Sequence, residues 1–136
     1  MGEGFLVFDA QPLVALALAE PSRAAVKARL RGLGPDRTGV ICSVNLCELL
    51  YIAHQRAGAE VAAEAAHLVA RVGISVVDAD ADLATRAAAL KVRYRLGLGD
   101  AFAAALARSM DAPLVTADAD FLPLADDGLK LDWLGE

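Results

Sequence analysis

The chain has 136 residues, room for one hydrophobic core, and is expected to form a single domain over residues 1–136. Apolar residues make up 57% of it and aromatics only 5%, so alanine and other small aliphatics must fill the interior. A net charge of −5 gives no broad basic footprint for nucleic acid, and no uninterrupted apolar run nears the roughly 20 residues of a membrane span.

The N-terminus has no basic stretch ahead of an apolar one, which argues against a signal peptide and makes the cytoplasm the expected compartment. Residues 5–9 predict a short, continuously apolar strand, and a helix follows from about Pro12, where proline suits a first turn. A second helical stretch runs from Ser22, a candidate N-cap, to Arg31, and Gly32, Gly34 and Pro35 break it. Val40-Ile41-Cys42 predicts a strand, Ser43 a cap, and the helix behind it carries Glu48 to about Arg56, with Gly58 ending it. A helix over about 59–71, a strand at Ile74–Val77 and a long helix from about Asp82 to Tyr94 come next. The segment from Asp100 to Met110 is apolar nearly all round, the mark of a buried helix. Leu114-Val115-Thr116 predicts a fourth strand, and Leu129–Trp133 a short fifth near an edge.

Strands separated by helices imply right-handed crossovers, and hence an α/β fold with a mainly parallel sheet of four or five strands covered on both faces. In such sheets ligands gather beyond the carboxyl ends of the strands. Asp9, Glu48, Asp100 and Asp118 all stand at or near the ends of apolar segments far apart in sequence, and all four can face that one rim. Buried carboxylates are costly. At about 5 Å and an effective dielectric of about 20, one like-charged pair costs on the order of 3 kcal/mol. A shared cation relieves that repulsion. An oxygen-only donor set suits a hard ion, Mg²⁺ or Mn²⁺, which points to metal-assisted phosphoryl-transfer chemistry.

Other polar groups read more plainly. Cys42 and Cys47 are expected to be buried free thiols, and His54 and His67 solvated or partly packed helix residues. Arg23, Lys27, Arg29, Arg31 and Arg37, and then Arg86, Lys91, Arg93 and Arg95, read as solvated helix faces. Asp78, Asp80 and Asp82 lack the glycine and terminal glutamate of a calcium loop, so helix capping and solvation are expected of them.

Four segments in order carry a family resemblance: Val7-Phe8-Asp9-Ala10, Ser43-Val44-Asn45-Leu46-Cys47-Glu48, Leu96-Gly97-Leu98-Gly99-Asp100-Ala101 and Thr116-Ala117-Asp118-Ala119-Asp120-Phe121. Together with Glu20-Pro21 they make the chain resemble, over nearly its whole length, the PIN-domain ribonucleases, especially VapC-type toxins of toxin–antitoxin pairs. The resemblance implies a PIN-like three-layer α/β/α sandwich, divalent-metal-dependent cleavage of an RNA substrate, a cognate antitoxin that inserts a segment near the pocket, and often a homodimer. It implies that Asp9 and Asp100 bind metal most directly, that Asp118 completes the site and that Asp120 contributes second. Glu48 would bind metal through water or position the attacking water, and Thr116 would hydrogen-bond within the site. Gln11 departs from the pattern, which commonly has Ser or Thr two residues after the first aspartate. That departure motivates a competing reading, a non-catalytic PIN-like module binding RNA or protein. A phosphatase using Asp9 as nucleophile would want an aspartate where Gln11 stands, and no Gly-rich loop ending in Lys-Ser or Lys-Thr supports a P-loop enzyme.

Overall fold

The computed structural model describes residues 4–135. Five strands form one sheet: β1 (Phe5–Phe8), β2 (Thr38–Cys42), β3 (Ile74–Val77), β4 (Leu114–Thr116) and β5 (Leu131–Trp133). Their order is β3-β2-β1-β4-β5 and every pairing is parallel, with Val7 opposite both Val40 and Leu114. The chain steps outward from β1 to β3, then returns to lay β4 on the other side of β1. The strand order therefore reverses between β1 and β4, the place where open parallel sheets bind ligands.

The strands alternate strictly between two apolar layers, as the pleat requires. Leu6, Phe8, Ile41, Ile74 and Val115 pack into one layer with α1 (Ala10–Ala17), α2 (Arg23–Arg31), α3 (Ser43–Ala57) and α4 (Ala59–Arg71). Val7, Val40, Cys42 and Leu114 pack into the other with α5 (Ala81–Tyr94) and α6 (Leu98–Ser109). Helices thus cover both faces of the sheet, the three-layer α/β/α arrangement expected of the sequence. A short helix, α7 (Leu122–Asp126), links β4 to β5. In α6 the side chains of Ala101, Ala103, Ala104, Ala105 and Ala107 are all buried beside Leu106, and the small alanines let the helix lie close to its neighbours.

Several boundaries and caps differ from expectation. Helix α1 begins at Ala10, and Pro12 sits in its first turn, where an N–H would lack an intrahelical partner in any case. Ser22 makes no side-chain cap bond. Ser43 does not cap α3 but is its first residue, and its hydroxyl accepts a hydrogen bond from the Ala79 N–H at 2.9 Å, tying the segment after β3 to α3. Cys47 is exposed, whereas Cys42 is buried, and both are free. The inward face of α3 is set by Asn45, Leu49 and Ala53. Two residues on from Asn45 is about 200° round the helix, which turns Cys47 outward. Among the described residues no helix is long and apolar enough to cross a membrane.

Candidate metal centre

Asp9 is the first residue after β1, and its backbone N–H reaches the Val115 carbonyl at 3.2 Å, so it is locked to the end of β4. It also caps α1, with Oδ1 accepting from the Ala10 N–H at 2.9 Å. Its other oxygen, Oδ2, accepts from the Thr116 hydroxyl at 3.0 Å. Thr116 is fully buried at the end of β4, and its Oγ1 in turn accepts from the Asp118 N–H at 3.1 Å. Asp118 Oδ1 then accepts from the Asp120 N–H at 2.9 Å and opens a single 3₁₀ turn over Ala119–Phe121. Phe121, fully buried, pins that turn to the core. A relay of four hydrogen bonds therefore runs from the start of α1 to Asp120.

Asp100 enters from the opposite layer, in the first turn of α6, and is half-buried. One carboxylate oxygen each from Asp100, Asp118 and Asp120 lies within 4.8 Å of the others. Glu48 comes from α3, also half-buried, and its Oε1 accepts from Asn45 Nδ2 at 2.9 Å. The same Nδ2 donates to the Gly99 carbonyl at 3.0 Å. Gly99 faces Glu48 so closely that a Cβ there would stand 2.1 Å from Oε1. A side chain here would displace the Glu48 carboxylate from its present position.

The electrostatics show that the acidic groups share one field. Burial pushes the Asp9 carboxyl up to about 6, and the negative charges of Glu48 and Asp118 add to that, while the bonds from Thr116 and Ala10 oppose it. Asp100 is pushed up to about 7, first by burial and then by Asp9, Asp118, Glu48 and Asp120 in turn. All four acids named at the strand and helix ends, with Asp120, meet at the rim where the strand order reverses. The tight trio is Asp100, Asp118 and Asp120, and Asp9 lies outside it with each oxygen already accepting one hydrogen bond.

The donor set is oxygen-only and negatively charged, which fits a hard divalent cation and gives no soft ligand for zinc or copper. His54 and His67 are exposed. Asp80 caps α5, accepting from the Leu83 N–H at 2.8 Å, and Asp82 pairs with Arg86 at 2.9 Å, so neither belongs to this site. Gln11 is exposed, and its amide donates to Glu20 Oε1 at 2.9 Å, while Arg56 holds the other Glu20 oxygen at 3.0 Å. The sequence alone assigns Asn45 and Gly99 no role of their own. The available signals were Asn45 standing three residues before Glu48 on one helix face, and Gly99 directly preceding Asp100.

The PIN domain family model matches residues 6–126. The chain belongs to the PIN domain family. Solved structures similar to this PIN domain include VapBC2 from Rickettsia felis bound to a DNA fragment from their promoter, with a TM-score of 0.77, 20% identity, and 94% of this chain and 97% of that chain covered. VapC20 of Mycobacterium tuberculosis, a sarcin–ricin loop cleaving toxin, gives 0.75 at 22% identity, with 91% and 95% covered. A toxin–antitoxin complex from Klebsiella pneumoniae gives 0.66 at 24% identity, with 85% and 89% covered. At these identities the likeness is one of fold. No curated protein matches the chain as a relative.

Proposed function

We propose that this PIN domain is a metal-dependent endoribonuclease, the VapC-type toxin of a toxin–antitoxin pair acting in the cytoplasm. The observation that carries the reading is the meeting of five carboxylates from distant segments at the switch point, with Asp9 and Asp100 both held well above the ordinary carboxylate range. Such a cluster is unfavourable without a counter-charge. Asp100, Asp118 and Asp120 would hold Mg²⁺ or Mn²⁺, with Asp9 completing the shell from the β1 side. When bound, the ion supplies the charge that stabilises a phosphorane-like transition state and lowers the pKa of a coordinated water.

The chain's own residues do the rest. Thr116 fixes one oxygen of Asp9 and thereby its rotamer. Glu48, anchored by Asn45, presents its remaining oxygen to orient the attacking water and take its proton. The water oxygen bonds to phosphorus as the phosphorus–oxygen bond to the leaving nucleotide breaks. Membership in the PIN domain family and the sarcin–ricin loop cleavage by a neighbour of the same fold support RNA as the substrate. The toxin–antitoxin complex among the neighbours supports an antitoxin partner, and a homodimer is proposed on the family resemblance alone.

The test is cleavage of a structured RNA by the purified protein with Mn²⁺. Asp9→Asn and Asp100→Asn should each reduce cleavage to background. Unchanged metal-dependent cleavage in both variants would refute the site, and no Mn²⁺ binding at millimolar concentration would favour a non-catalytic binding module.

A further inference from the structure

We propose that Asn45 is a positioning residue that clamps Glu48 onto the first turn of α6, and that this clamp sets how tightly the acidic site holds its divalent ion; the inference rests on the metal-dependent reading above. Asn45 is fully buried. Both hydrogens of its amide are used, one on Glu48 Oε1 at 2.9 Å and one on the Gly99 carbonyl at 3.0 Å. Its Oδ1 is buried with no hydrogen-bond partner among the described residues. An orphaned buried acceptor is costly, and turning the amide over would cost more, because it would set Oδ1 against two other acceptors. The side chain is therefore held for its two donors. Asp at this position, the same shape, would face oxygen to oxygen at both contacts.

The other half of the clamp is a missing side chain. The Glu48 carboxylate occupies the space that a Cβ on Gly99 would need, at 2.1 to 2.4 Å from the carboxylate atoms. Asn45 and Gly99 thus close on Glu48 from two elements, α3 and α6, one residue before Asp100. Glu48 is repelled by the Asp9 and Asp100 charges, each of which responds to it. Left unclamped, its carboxylate swings toward solvent, where charge is best accommodated. With the clamp, the charge stays in the field of the other acids and adds to their hold on a cation.

A double-mutant cycle separates this from mere bridging of two helices. Mn²⁺ affinity is measured by calorimetry for the wild type, Asn45→Ala, Glu48→Ala and the double variant, with a thermal melt of each. Asn45→Ala should weaken Mn²⁺ binding roughly 10-fold, the usual effect of losing an outer hydrogen-bond partner, and should cause no further loss once Glu48 is alanine. Gly99→Ala provides a second approach should Asn45→Ala fold poorly: its loss of affinity should likewise need Glu48. Wild-type affinity in Asn45→Ala, or the same fold loss with and without Glu48, overturns the positioning role while leaving the nuclease reading intact. No Mn²⁺ binding by the wild type overturns both.

Discussion

Asp9 combines near-complete burial with an acid group held at about 6 against an ordinary 3.8, and that has a consequence for stability. The folded state binds this proton more tightly than the unfolded chain does. Its contribution to stability is therefore full below about 3.8 and is lost as pH rises through about 6, on the order of 3 kcal/mol in all. Asp100, held at about 7, acts in the same direction over a slightly higher window. Asp9→Asn cannot lose a proton, so in metal-free buffer the variant should gain on the wild type as pH rises from 5 to 8, by roughly 3 to 6 °C in melting temperature, since about half of the loss falls in that window. A constant difference across that range would contradict the burial of an ionisable Asp9. The position of this residue was legible, because an apolar strand ran straight into it. The role of Asn45 was not, since Gly99 lies 54 residues away and nothing local announces the contact.

At the scale of elements, the central strands β1 and β4 were readable because both of their faces are buried and their sequences are largely apolar runs, whereas the edge strands β3 and β5 are partly exposed. Caps were less readable. Whether Ser43 caps α3 or lies inside it depends on where the helix begins, and that is decided by the contact to Ala79 from a distant segment. Cys47 was misplaced for a related reason: the inward face of α3 is chosen by its packing partners, not by the polarity of one small residue. Strand β2 makes a sharper prediction. A Cβ on Gly39 would meet Leu33 Cδ1 at 2.8 Å, Ile74 Cγ1 at 3.1 Å and Phe8 Cε1 at 3.3 Å. Gly39→Ala should therefore destabilise the fold by about 1 to 3 kcal/mol through overpacking. It should lower the urea midpoint without changing the slope of the transition.

For the whole molecule, the site is built by topology. Asp9 and Asp118 become neighbours only because the chain turns back at β1, and Asp100 and Glu48 reach them from opposite layers of the sandwich. The order of the four segments carried this placement through family resemblance, while the tighter trio with Asp120 depended on the 3₁₀ turn that Phe121 anchors. Away from the acids, Leu16, Leu30, Leu68 and Val72 line a cleft of about 350 Å³ rimmed by Arg23, Lys27 and Arg31. A bound ion also stabilises the fold as a whole, by about 2.7 kcal/mol at 100 times its dissociation constant. Mn²⁺ should accordingly raise the melting temperature of the wild type and not that of Asp100→Asn.

The most direct measurement is a crystal soaked with Mn²⁺ and the anomalous difference map it yields. One or two peaks are expected within bonding distance of Asp100 and Asp118, with Asp120 or Asp9 completing the shell of the proposed metal centre. Metal bound elsewhere on the surface, with these acids left empty or paired with arginine and lysine, would contradict it.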